Sequence, residues 1–176
     1  MPAVNRHKLL SYEALRWLNF TENGTNKGQM VEAFQKAVDG KAQGEPWCMA
    51  FVQYCLQRTD DLVRYMDWMT PEMKPHEIFA SEHCWTVWLN TPEYARYMSA
   101  FPGSIAIWKN AYNNTGHAGI VIKRESEPFS FLTIEGNTSP DQDGSQRDGD
   151  GVFMKKRSGN IGKDLHLIGF LNPWPA

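Results

Sequence analysis

The chain has 176 residues, 41% of them apolar and 22% charged, with a formal net charge of −2. That is the size of one domain and the make-up of an ordinary folded protein. The near-neutral charge gives no argument for a nucleic-acid or anionic-membrane partner, and no apolar run approaches the length of a membrane span.

The polar start, residues 1–8, has no apolar core run of the secretory kind. The chain is therefore expected to be made in the cytoplasm without a signal peptide. Three cysteines, an odd number, describe no disulfide framework. Residues 6–20 predict a helix with Leu10, Ala14, Trp17 and Leu18 on one face. A turn-rich stretch, 21–28, ends it. A second helix is predicted over 29–38, striped by Met30, Ala33, Phe34 and Ala37 and stopped at Asp39-Gly40. Next comes Gly44-Glu45-Pro46-Trp47-Cys48-Met49-Ala50-Phe51-Val52. Pro46 suits a first helical turn, having no N–H to leave unpaired. Cys48, Phe51, Val52, Cys55 and Leu56 then recur at the spacing of one buried helix face. Cys48 thus falls in the first turn, where the positive end of the helix favours a thiolate, the nucleophilic form. The same spacing also suits a small core hydrophobe, so partners for the sulfur decide between the two.

Residues 57–100 are rich in Trp, Met and Tyr and are broken by Pro71, Pro75 and Pro92. Short helices are expected at about 61–69, 79–90 and 92–99. His76, His83 and Cys84 match no zinc spacing, and Cys84 among Trp85, Val87 and Trp88 reads as core. From Phe101-Pro102-Gly103 the pattern changes to β-branched runs at 104–109, 118–124, 129–136, 152–157 and 165–171. Helices followed by a strand meander predict an α+β fold, one domain with a helical part over 1–100 and a strand part over 101–173. The acidic stretch 141–151 lacks the turn glycine and closing Glu of a calcium loop and reads as a hairpin turn.

A nucleophilic cysteine needs a base within hydrogen-bond reach and a group to orient that base. Of five histidines, His117 opens a strand and stands on a rigid element at an open end. If the next turn centres on Ser126, Glu135 falls directly opposite His117, with Asn137 on the same face. That face is the one expected to receive the Cys48 helix. A one-residue slip would invert it.

These residues resemble the CHAP domain, a cysteine- and histidine-dependent amidohydrolase/peptidase module of the papain-like and NlpC-like superfamily. Pro46-Trp47-Cys48-Met49-Ala50-Phe51-Val52 is similar to its Pro-Trp-Cys-Ala-x-Phe-Val signature, with Met49 where Ala is usual. Pro102-Gly103-Ser104 resembles its Pro-Gly-Asp strand start, with Ser104 for Asp. Gly116-His117, Glu135-Gly136-Asn137 and the stretch 167–173 are similar to its later motifs, and Glu22-Asn23-Gly24 and Asn26-Lys27-Gly28 to the lead-in of phage-type members. The resemblance implies a papain-like fold, with N-terminal helices on an antiparallel sheet of about five strands. It also implies a peptidoglycan hydrolase, either an N-acetylmuramoyl-L-alanine amidase or a stem or cross-bridge endopeptidase. Cys48 would be the nucleophile and His117 the base and then the acid. Glu135 would orient His117, Asn137 would assist, and Gln43 is a candidate oxyanion donor. Glu135→Gln is expected to be the mildest of the site changes. Some members bind calcium near the cysteine through an acidic run. Here only Asp39 and Glu45 stand there, with Lys41 between, so no metal and no cofactor is expected. The expected partner is the peptidoglycan stem peptide, with no nucleic acid, no membrane and a monomeric chain. Action on the wall would follow lysis, as for an endolysin, or delivery by a secretion machine. The alternatives are a cysteine protease or acyltransferase for a non-wall substrate, and a non-catalytic binding module of the same fold.

Overall fold

The computed structural model describes residues 4–66, 74–127, 129–141 and 149–175. Among them, helices come first: α1 (Arg6–Leu15), α2 (Gln29–Asp39), α3 (Cys48–Met66) and α4 (Cys84–Asn90). Six strands follow: β1 (Arg96–Tyr97), β2 (Ile105–Asn110), β3 (Gly116–Arg124), β4 (Phe131–Thr138), β5 (Gly151–Arg157) and β6 (Leu165–Leu171). They form one antiparallel sheet in the order β1-β6-β2-β3-β4-β5, so the fold is α+β.

The predicted helices differ at their ends for local reasons. α1 opens on Asn5, whose side chain accepts from the Lys8 N–H at 3.0 Å. It stops at Leu15, not at residue 20. Asn19 takes a left-handed φ of 66°, and residues 19–22 pair with β5 through Asn19 N–H to Val152 O (2.9 Å) and Glu22 N–H to Asp150 O (2.7 Å). Trp17, Leu18 and Phe20 still pack on the core, but from an irregular segment. α2 ends at Gly40, which takes φ 84°, the left-handed stop glycine allows. α3 runs 19 residues without a break and absorbs 61–66, where a separate helix was expected; residues 67–69 of that expectation lie outside the described residues. The expected helix at 79–90 shortens to α4. The expected helix at 92–99 is a 3-10 turn, Glu93–Ala95, followed by β1, which pairs Arg96 with Leu171. That short strand makes the sheet six-stranded where about five were expected. The acidic turn expected at 141–151 lies mostly outside the described residues.

Periodicity predicted one buried face for α3, yet its first six residues are all buried. The reason is position: α1 and α2 pack on one side of it and the sheet on the other, and a helix enclosed this way buries its whole circumference. Its base rests on an aromatic nest. Trp17, Phe20, Phe34 and Trp47 meet largely edge to face at 5.2–6.3 Å, the arrangement aromatic quadrupoles favour. The lead-in loop fixes Trp47: Glu22 accepts from its indole N–H at 2.8 Å and from the Asn26 N–H at 3.0 Å.

The helices cover the sheet face of Ile107, Ala118, Ile120 and Ile134, while Ala106, Trp108, Val121, Phe131 and Phe170 pack together separately. Contact with α3 is closest at Gly136, where a Cβ would lie 2.8 Å from Phe51 Cβ and 2.9 Å from Trp47 Cζ3. Gly136→Ala is therefore expected to cost about 1–3 kcal/mol by overpacking. Urea unfolding of the variant checks this; an unchanged midpoint would contradict so close a contact.

Candidate active site

Cys48 is the first residue of α3, following Trp47, whose carbonyl accepts the first intrahelical bond from the Phe51 N–H at 2.9 Å. Pro46 thus precedes the helix by two residues instead of opening it. Cys48 is 3% exposed. Its sulfur meets β3 at the Ala118 N–H and the His117 ring. Cys48 also lines a cavity of about 220 Å³ with Glu45, Pro46, Glu82, His83, Cys84, Thr115 and Gly116.

His117 and Glu135 are both fully buried, and His117 Nε2 lies 2.9 Å from Glu135 Oε2. The register differs from the expected one. Ile120 pairs with Ile134 and Val121 with Thr133; a bulge follows before Lys123 pairs with Leu132. Continued one step, this register sets Gly119, not His117, opposite Glu135. A two-residue slip keeps the face, and a diagonal neighbour is still within reach of long side chains. Gly119 makes the diagonal possible: a Cβ there would lie 2.7 Å from Glu135 Cγ. The helix layer covers the other face of these strands, that of Ala118, Ile134 and Gly136. Cys48 therefore meets His117 at the start of β3, not across the face expected to receive the helix.

Glu135 is the most heavily bonded group of the site. Arg157 Nε donates to Oε1 at 2.8 Å, Arg157 Nη2 donates to Oε2, and the Thr133 hydroxyl donates to Oε1. Burial alone would raise its pKa, but Arg157 and then His117 outweigh burial and hold the carboxyl at about 2. An ionised Glu135 fixes the tautomer of His117: Nε2 carries a proton and donates it to Oε2. Nδ1, buried without an oxygen or nitrogen partner among the described residues, is the nitrogen left for the sulfur. Burial pushes the imidazole down, yet Cys48 and Glu135 together raise it to about 9. The Cys48 thiol is held well below its ordinary value by Cys84 and, after the opposing effect of burial, by His117 and the Ala118 N–H. Both shifts favour the thiolate–imidazolium form of the pair. Cys55, buried beside Glu13, is pushed well up and stays a thiol.

Asn137 is buried in β4 at the irregularity where β4 and β5 shift register, with a left-handed φ of 56°. Gln43 is exposed; its N–H donates to Glu45 Oε2 at 2.7 Å, and it does not line the cavity. Two further groups belong to the site. Arg157 could have been suspected from strand alternation, which puts it on one face of β5 with Phe153, the cross-strand partner of Glu135. Cys84, read from sequence as core, has its sulfur 3.9 Å from that of Cys48. Nothing in the sequence ties the two positions, 36 residues apart, except their residue type.

A family model of the CHAP domain matches residues 40–137, more than half of the chain, and its span contains Cys48, His117, Glu135 and Asn137. No curated protein matches the chain.

The carboxylate anchor makes stability depend on acid. Glu135 sits at about 2 against an ordinary 4.5. Its contribution, on the order of 3 kcal/mol, is fully present above about pH 4.5 and is lost as the pH falls through about 2. Glu135→Gln should flatten that part of the profile. It should also destabilise the protein at neutral pH by about 3–5 kcal/mol, because the amide cannot balance the buried Arg157 charge. The change expected from sequence to be mildest is thus not mild for the fold. Urea unfolding from pH 7 to pH 2 reads both effects; parallel profiles for the two proteins would refute the assignment.

Proposed function

The chain belongs to the CHAP domain family, cysteine- and histidine-dependent amidohydrolases and peptidases of peptidoglycan, and on that premise we propose that it cleaves an amide bond of peptidoglycan through a Cys48 thioester. The observation that carries this reading is the buried series Cys48–His117–Glu135–Arg157 beside an open cavity, whose charges favour a thiolate against an imidazolium. A nucleophile, its base and the orienter of that base are what covalent acyl transfer requires.

In this reading the Cys48 thiolate attacks the carbonyl of the scissile amide. The oxyanion takes hydrogen bonds from N–H groups of the first turn of α3, which have no intrahelical acceptor. Gln43, outside the cavity, is replaced in that role by the Cys48 N–H. As the tetrahedral intermediate collapses, the C–N bond breaks and His117 Nδ1 gives its proton to the leaving amine. Neutral His117 then takes a proton from water, the resulting hydroxide attacks the thioester, and the acid product leaves with the thiolate restored. Glu135 keeps Nε2–H bonded throughout. The bond cut is either the muramoyl–L-alanine amide or a stem or cross-bridge peptide bond. Asn137, two residues beyond Glu135 on the same strand, would assist.

Cys48→Ala is expected to abolish release of soluble fragments from purified peptidoglycan while the circular dichroism spectrum is kept. His117→Ala should be nearly as damaging, and the double variant little worse than Cys48→Ala, because the two act as a unit. Mass spectrometry of the products names the bond. For the wild type, kcat/KM should fall above about pH 9, where His117 loses the proton that the leaving amine needs. Turnover is expected to survive chelation. Substantial turnover by folded Cys48→Ala would overturn the reading.

A further inference from the structure

Cys84 has no task in the steps above, yet it is the nearest sulfur to the nucleophile. Its position is built, not incidental. It is the first residue of α4, and α4 approaches β3 so closely that a Cβ on Gly116 would lie 3.0 Å from Cys84 Cβ. Glycine at 116 is what lets the two cysteines meet. Both line the same cavity, both are nearly fully buried, and their sulfurs are 3.9 Å apart, a distance suited to an S–H···S contact. The other titratable groups around Cys48 are His117 from β3, and Glu45, Glu82 and His83 on the cavity wall. Glu135 and Arg157 stand behind His117.

Resting on Cys48 as the nucleophile, we propose that Cys84 is a positioning residue: it remains a thiol and donates its S–H to the Cys48 thiolate. Two thiols in such contact cannot both ionise, and the one beside the imidazolium gives up its proton. The hydrogen bond to Cys48 and then burial push Cys84 well up, in keeping with that division. His117 serves the thiolate only until it protonates the leaving amine, whereas Cys84 stays protonated through the cycle. When the thioester forms, the S–H loses its anionic acceptor, and it recovers that acceptor when the thioester is hydrolysed. Cys84 therefore sets how much thiolate waits for substrate, not the chemistry of bond cleavage.

This role has a signature that packing alone lacks. A thiolate stabilised by a donor is more populated at low pH but intrinsically less nucleophilic. Removing the donor should move the pH profile of alkylation at Cys48 upward by about one unit, the order of a hydrogen bond to a charged group. Alkylation below the midpoint should then be about tenfold slower. The plateau above the midpoint should not fall, and should rise by up to about threefold. The test is iodoacetamide alkylation of the full chain from pH 4 to pH 10, with modification at Cys48 located by peptide mass. The proteins are the wild type, Cys84→Ala, Cys84→Val (which fills the volume without a donor) and Cys84→Ser (which restores one). The proposal stands if Ala or Val shifts the midpoint and Ser returns it. It falls if all four profiles coincide, if Ser behaves like Ala, or if the rate drops equally at every pH. Alkylation needs no substrate, so absence of peptidoglycan turnover by a protein showing these shifts would count against the proposed substrate and not against Cys84.

Discussion

A carboxylate with no access to water governs this site. Glu135 is placed where only charge-assisted hydrogen bonds can keep it ionised, and Arg157, Thr133 and His117 supply them. Each of those partners is constrained in turn. Arg157 is itself nearly buried and lies over the Trp108 ring, 6.0 Å from its centroid. Thr133 shares a strand face with Glu135. His117 can offer Nε2 only by turning Nδ1 toward Cys48. A buried ion pair is weak evidence for stability by itself. Here its effect is to fix a tautomer and a ring orientation, which solvent-exposed groups could not hold.

Cys48 is positioned by different means. The first six residues of α3 are packed on every side, and its first turn is anchored from outside by the Trp47 indole bonded to Glu22. Gln35, fully buried, donates to the Glu45 carbonyl at 2.7 Å and holds the approach to the helix. The thiolate thus belongs to the helical layer and the base to the sheet. The two layers meet where glycines let backbones close up: at Gly116 against α4, and at Gly136 against α3.

Much of this was legible in the sequence, and the exceptions have physical causes. Strand runs were readable because β-branched residues alternate between turn residues; β2 to β6 fall within two residues of expectation. β1 was not, because two residues carry no period. α3 looked shorter than it is, since polar Gln57 to Asp61 suggested a break; Thr59 instead donates to the Cys55 carbonyl, and Asp60 accepts from the His76 N–H and the Trp174 indole. The pairing of His117 with Glu135 was readable despite a wrong turn centre, because an even slip preserves a face. Which face the helices would cover was not, since both faces of β3 are buried from His117 to Val121. Cys84 was unreadable as a member of the site, because its approach to Cys48 is tertiary and leaves no local pattern; for Arg157 strand alternation was the one available hint.

The pairing of residues 19–22 with the edge of β5 bears on how this architecture can be divided. The span shared with the family, 40–137, carries Cys48, His117 and Glu135. It carries neither Arg157, which keeps Glu135 ionised, nor Glu22, which moors Trp47 before Cys48. The segment before the span covers the free edge of the strand after it, so the sheet is closed by chain from both sides of the shared region. A recombinant chimera joined at the family boundaries would inherit the recognisable residues without the ion pair that holds Glu135 charged. The transferable unit is the longer one, from α1 through β6.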